Sequence, residues 1–239
     1  MEMDERKLIE MDLSDTIIGR YHGFSVGSRH FYLYPVTLGK MYLLGRLIED
    51  LHVNYDIVKA NPYVEMLRLS VEHKEVCCQI LTYHTIHTMT KIFDNEFVQN
   101  RTKWFVENID NEALAKILKM VMTDKTDTFM KHLGIDREQA RMKRVMSVKQ
   151  DKNSITFGGL SIFGSLIDSA CERYGWTKEY VVWGIDYASL TLMLADKITS
   201  TYLTDEERKR LPASVLNKSK VINMDDPKNR DMVKQVDWR

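Results

Sequence analysis

Apolar positions along this 239-residue chain recur at helical spacing over most of its length and take on a strand-like character only near the N-terminus. Residues 1–14, charged from the second residue, are predicted to form a frayed arm. Two aromatic and β-branched runs follow, 21–26 and 30–35, separated by Gly27 and Ser28; they predict a β-hairpin that Pro35 ends. From Thr37 the period becomes helical. Leu38, Met41, Tyr42, Gly45, Leu47, Ile48 and Leu51 share one face, Thr37 is placed to cap it, and the helix is expected to end near His52.

Pro62 opens a second helical pattern, in which Val64, Leu67, Val71, Val76, Ile80 and Leu81 form a core-facing stripe predicted to run unbroken to Phe93. Helices are predicted over 95–107, 111–122 and 126–133, the last stopped by Gly134, and stacked as short antiparallel neighbours. Residues 136–152 carry six basic and three acidic side chains with few apolar ones, which predicts an exposed helix. The segment 153–159, with its Gly158-Gly159 pair, breaks the pattern and is the best linker candidate. Beyond it, Ile162, Phe163, Leu166, Ile167 and Ala170 predict a helix over 160–174, stopped by Gly175. Thr177 can cap a short helix that Gly184 ends, and Asp186 a longer one carrying Tyr187, Leu190, Leu194, Ile198 and Thr201. After Pro212 no pattern remains, and a flexible tail is expected, with Val233 and Trp238 as docking candidates.

The predicted fold class is therefore mainly α: a multi-helix globular fold with a small N-terminal β-hairpin and a C-terminal helical hairpin subdomain. Its expected division is 1–152, 153–211 and a tail over 212–239. Composition agrees with this picture. At 44% apolar and 28% charged residues the chain can bury a sizeable core, and four prolines, eleven glycines and fourteen methionines favour helices with adaptable apolar packing. The 34 basic and 34 acidic residues cancel, so charged recognition has to be local. The first residues are charged and no run approaches a membrane span, which leads us to expect a soluble cytoplasmic protein. Cys77, Cys78 and Cys171 imply no disulfide framework, as an adjacent pair does not bridge without unusual strain.

Candidate chemistry is sparse. His73, Cys77, Cys78, His84 and His87 include metal-ligand types, but on one helix this spacing suits ordinary buried cysteine and histidine better than a zinc site, and no metal ligand is assigned. No serine or cysteine sits on a Gly-flanked elbow and no phosphate-cradling loop is present, so no catalytic residue, cofactor or enzymatic activity is expected. Arg137, Arg141, Lys143 and Arg144 are candidates for contact with phosphates or an acidic partner. A solvated face is the favoured reading, because no aromatics interleave with those charges. The densest feature is 170–203, with two of the four tryptophans and four tyrosines. Tyr174, Trp176, Tyr180 and Trp183 are its candidate partner-binding residues, since Tyr and Trp bury large area with few rotors. Trp176, just after the Gly175 break, is expected to be the exposed anchor, whereas Trp183 is as well suited to internal packing.

This run, with Gly175-Trp176-Thr177, then Trp183, then a helix capped by Asp186 and carrying Leu190, resembles the tail assembly chaperones of long-tailed bacteriophages. The hairpin leading through Pro35 into a Thr37-capped helix is similar to the opening of such proteins. The segment 62–152 has no counterpart in that pattern. The resemblance implies a non-enzymatic protein in the host cytoplasm that binds a tape-measure or tail-tube protein before assembly, alone or as an oligomer. Two alternatives remain open: a virion adaptor or connector protein, and a nucleic-acid-binding regulator acting through the basic helix 137–152.

Overall fold

The computed structural model describes residues 5–149, 159–196 and 201–216. It is mainly α-helical with one antiparallel hairpin, as the periodicity predicts. Strands β1 (His22–Val26) and β2 (Arg29–Leu33) pair with Phe24 opposite Phe31 and Val26 opposite Arg29, around the Gly27-Ser28 turn. Gly27 has φ +56°, the left-handed value such a turn requires. Phe24, Phe31, Val26 and Leu33 turn inward, and Gly23, Ser25, His30 and Tyr32 face out. The helices are α1 (Glu5–Ile17), α2 (Leu38–Glu49), α3 (Tyr55–Ala60), α4 (Pro62–Glu72), α5 (Lys74–His84), α6 (Met89–Ile92) and α7 (Asn95–Asn108). They continue with α8 (Asn111–Met122), α9 (Thr126–Leu133), α10 (Ile135–Val148), α11 (Asp168–Tyr174), α12 (Tyr187–Ala195) and α13 (Asp205–Lys209). π-helical turns occupy Phe163–Ile167 and Tyr180–Gly184.

Local chemistry explains most of these boundaries. The side chains of Thr37, Asp94, Asp110 and Asp186 accept from the backbone N–H three residues on, each satisfying a donor that the first helical turn leaves unpaired. Gly134 and Gly175 end α9 and α11 at φ +75° and +66°. The predicted unbroken helix from Pro62 to Phe93 is corrected to three. His73 leaves helical geometry at φ −129°, and residues 85–88 separate α5 from α6. Helix α3 was not foreseen; Asn54 caps it by accepting from Asp56 N and Ile57 N.

The chain folds as two compact units. The first comprises residues 1–137 and 156–198. Its main core joins the hairpin to α2, α4, α5, α7 and α8 through Leu69, Ile80, Leu81, Phe105, Leu114 and Leu118, all 0% exposed. Burying each such side chain contributes about 1.5–3 kcal/mol. Buried Glu65 is held there by Arg68 Nη2 at 2.6 Å and by Asn54 N at 2.7 Å, and the Arg68 guanidinium keeps its carboxyl below the usual range. The expectation of a frayed arm is corrected: Ile9 and Leu13 of α1 pack with Phe129, Ile135 and Leu192. The second unit comprises 138–155 and 199–239. Among its described residues Val145, Leu211 and Val215 form a small core, and Thr204 with Glu207 forms a capping box at α13. Residues 212–216, placed in the tail by sequence, thus include a buried valine, while the rest of that tail, with Val233 and Trp238, lies outside the described residues. So do most of the linker candidate 153–159 and Ile198. Among the described residues no helix is long and apolar enough to cross a membrane.

The expected boundary at 152/153 and the unit division differ, because the segment around α11 and α12 is stitched to the N-terminal block. Thr37 and Asp186 form an antiparallel bridge, and Tyr187 N donates to Val36 O at 2.8 Å. The Trp183 ring lies on Gly39 of α2, where an added Cβ would sit 2.6 Å from its carbons. Ordinarily Gly→Ala inside a helix stabilises by about 1 kcal/mol. Here Gly39→Ala is expected to destabilise by about 1–3 kcal/mol, since a backbone-anchored methyl has to displace an indole. A urea titration followed by tryptophan emission checks the sign.

Candidate functional site

A cavity of about 600 Å³ opens in the first unit. It is a product of packing among short helices. Buried Leu44, Met66, Ile80 and Phe129 supply its inner wall from α2, α4, α5 and α9, and Val36, Ile48, Val53 and Val58 extend the apolar lining. Exposed Met41, Tyr55 and Met120 stand at its opening. Four methionines contribute to the lining, Met41, Met66, Met120 and Met122, and their unbranched side chains can repack around differently shaped apolar guests.

The polar rim is built from α1, the turn that follows it, the start of α12 and the loop between α8 and α9. Asp15 pairs with Arg20 at 3.3 Å and Asp12 with Lys125 at 2.7 Å. Asp124 accepts from Thr126 N and Asp186 from Ser189 N, both at 2.8 Å. Gly45 also lines the cavity, and a Cβ there would meet nothing within 4 Å.

Against one wall lies an unusual polar group. Lys40, in the first turn of α2, is 2% exposed, and its ammonium sits 5.8 Å from the Tyr34 ring centroid. Among the described residues it forms no ion pair. Burial lowers its pKa to about 8. His84, which lines the cavity, is 3% exposed; burial and then the Lys40 charge push its pKa down to about 3, so the ring is neutral at physiological pH. Tyr34, His87 and Tyr21 cluster beside them, with ring centroids 4.8 Å apart for the tilted pair Tyr34–His87 and for the edge-on pair Tyr21–Tyr34. Sequence reasoning passed over Lys40 and the cavity. The sole local signal, a lysine on the apolar side of the Thr37-capped helix, does not distinguish burial from an aliphatic stem with its head in water.

The residues singled out by sequence fall in several places. Tyr174 stacks on Trp176 at 4.6 Å and Trp176 meets Tyr180 edge-on at 5.1 Å, making one aromatic step. Trp176 is half-buried rather than the exposed anchor expected, and Tyr180, at 45% exposure, is the open member. Trp183 packs internally between Gly39 and Phe93, whose ring centroid is 5.5 Å away. On α10, Arg141 is committed: its guanidinium pairs with Glu138 and donates to Val215 O at 3.0 Å. Lys143 and Arg144 lie on the same helix, and Arg137 approaches Gly134 at the end of α9.

Of the suggested metal-ligand set, Cys77 and Cys78 are fully buried in the main core. Burial pushes both thiols up to about 12, so they are protonated and unreactive. His73 stands at the break between α4 and α5, and among the described residues no group of three or more His, Cys, Asp or Glu is arranged to hold a metal ion. Among the described residues one serine–histidine hydrogen bond is present, Ser25 Oγ to His30 Nδ1 at 3.0 Å, on the outer face of the hairpin. It lies away from the cavity lining, on a solvent-exposed cross-strand pair.

What this arrangement offers chemically is apolar surface inside an acidic rim, suited to holding a guest. No family model matches the chain, and neither a characterised protein nor a solved structure matches it.

Proposed function

We propose that the chain is a non-enzymatic binding protein of the tail assembly chaperone type, which shields an apolar segment of a tape-measure or tail-tube protein before assembly. The observation that carries this reading is the open, methionine-bearing cavity of about 600 Å³. A long structural protein awaiting assembly exposes apolar surface, and a groove that takes such surface reversibly keeps it from aggregating. The features behind the resemblance support the reading locally. Gly175 has left-handed geometry, Thr177 accepts from Tyr180 N, Asp186 caps α12 and Leu190 is 0% exposed. The Tyr174–Trp176–Tyr180 step is a second apolar contact surface, distinct from the cavity lining.

Co-expression with the tape-measure or tail-tube protein of the same genome tests the proposal. The expected result is a soluble complex, with the partner shifted from the pellet to the supernatant. Gly45→Leu, which places a side chain in the cavity where a Cβ meets nothing, is expected to reduce capture at least ten-fold without unfolding the protein. Absence of any complex with either partner overturns the reading; undiminished capture by Gly45→Leu removes the cavity from it.

A further inference from the structure

The cavity rim has a sign. Four aspartates, Asp12, Asp15, Asp124 and Asp186, line the cavity with the cations Arg20 and Lys125 and the histidines His22 and His84, so the aspartates outnumber the lysine and arginine charges by two. Arg20 and Lys125 are already engaged by Asp15 and Asp12, and the hydrogen bonds to Asp124 and Asp186 come from backbone amides, which orient those carboxylates without cancelling their formal charge. His84 adds no compensating charge near neutral pH, as burial keeps it unprotonated, and Lys40 is not among the lining residues. Low-dielectric walls around an acidic mouth focus the field outward, so a guest carrying positive charge is drawn in and an acidic one repelled.

The backbone around the cavity limits the shape of that guest. Its walls are mostly helices, whose amides and carbonyls are used internally. In the extended stretch 34–36 of the wall, Tyr34 N donates to His84 O and Val36 O accepts from Tyr187 N, and the lining strand residues His22 and Leu33 pair with each other. An extended peptide entering the cavity would find few backbone partners and would bury unsatisfied amides, whereas a helix satisfies its own.

Resting on the reading of the cavity as a partner site, we infer that its occupant is an amphipathic helix of the partner, with an apolar face in the cavity and lysine or arginine beside it against the acidic rim. A volume of about 600 Å³ accommodates a few large side chains from one helix face. Rim charge supplies orientation and encounter rate, and the methionine-bearing wall supplies adaptable contact.

Two fluorescein-labelled helical peptides test this, sharing one leucine and methionine face but flanked by lysine in one and glutamate in the other. In fluorescence anisotropy at low salt the lysine peptide is expected to bind the full chain at least ten-fold more tightly, with the difference shrinking in molar salt. Asp12→Asn combined with Asp15→Asn, both on α1 and both leaving the helix caps intact, brings the rim to neutrality and is expected to abolish the preference. Gly45→Leu is expected to weaken both peptides at least ten-fold while thermal unfolding still shows a folded protein. Equal binding of the two peptides, a preference that survives rim neutralisation, or binding unaffected by Gly45→Leu each overturns the inference. If neither peptide binds while the tail protein is still captured, the inference fails and the chaperone reading stands. If the lysine peptide binds as expected and no tail protein is captured, the chaperone reading fails and the acidic-rimmed helix site stands.

Discussion

Acidifying the protein from pH 7 to pH 3 is expected to remove about 4–5 kcal/mol of stability through His84 alone. Burial holds this ring neutral down to about pH 3, whereas in the unfolded chain it takes a proton near its ordinary value of 6.5. Between those values the unfolded state binds the extra proton, so stability rises with pH across the window and is lost as pH falls through it. A gap of about 3.5 pH units at 1.36 kcal/mol each sets the magnitude. That is a large part of the net stability of an ordinary domain. Urea midpoints at pH 7, 5.5 and 4.5, compared between wild type and His84→Asn, measure it. The variant loses some stability at pH 7 through altered packing, but its profile is expected to be flatter below pH 6.5. Parallel profiles for the two proteins would show that His84 takes up its proton without unfolding.

Lys40→Met is expected to raise stability at pH 7 by about 3 kcal/mol, from a shift of about 2.5 pH units at 1.36 kcal/mol each. An ammonium that is 2% exposed and in no ion pair among the described residues carries its desolvation cost uncompensated, and methionine fills similar space without charge. The sign of the pH dependence follows. The folded state releases the Lys40 proton near pH 8 while the unfolded chain keeps it to about 10.5, so wild-type stability gains from this group as pH rises above 8. Cys77 and Cys78 act oppositely. Their folded thiols stay protonated to about 12 while unfolded ones ionise near 9, which removes stability above pH 9. The clean window is therefore pH 8 to 9, where calorimetry of wild type against Lys40→Met is expected to show the gap between them narrowing. Removing the Lys40 charge also relieves part of what lowers the His84 pKa, so the acid transition of the variant should be shallower. A destabilised Lys40→Met would mean that the ammonium makes a contact worth more than its burial cost.

Much of the local structure was legible in the sequence, because its causes are local. Gly27-Ser28 marks the hairpin turn, Thr37 and Asp186 carry cap hydrogen bonds, and Gly134 and Gly175 stop helices where a side chain would strain the backbone. The helices over 111–122 and 126–133 show a strong apolar stripe and fall within the predicted bounds. Reading failed where a distant contact decides. Helix α1 has no pronounced apolar face, and Ile9 and Leu13 find their partners at Phe129 and Leu192, more than a hundred residues away. The break at His73 interrupts a stripe that continues through it on both sides. The aromatic run of 170–203 read as a separate docking module because side-chain type shows that Trp183 will be buried somewhere, but not that Gly39 leaves a flat place for it.

By itself the sequence determined the helical class, the hairpin, the caps and the stops, since propensity, side-chain hydrogen bonding and left-handed glycine each act within a few residues. Only the tertiary structure decided that the 170–196 region belongs with the N-terminal block, that Lys40 and His84 are buried side by side, and that an acidic-rimmed cavity opens among the short helices. Those features are sums over residues far apart in the chain. Burial, cavity shape and net rim charge exist only once the elements have packed, and no single segment carries them.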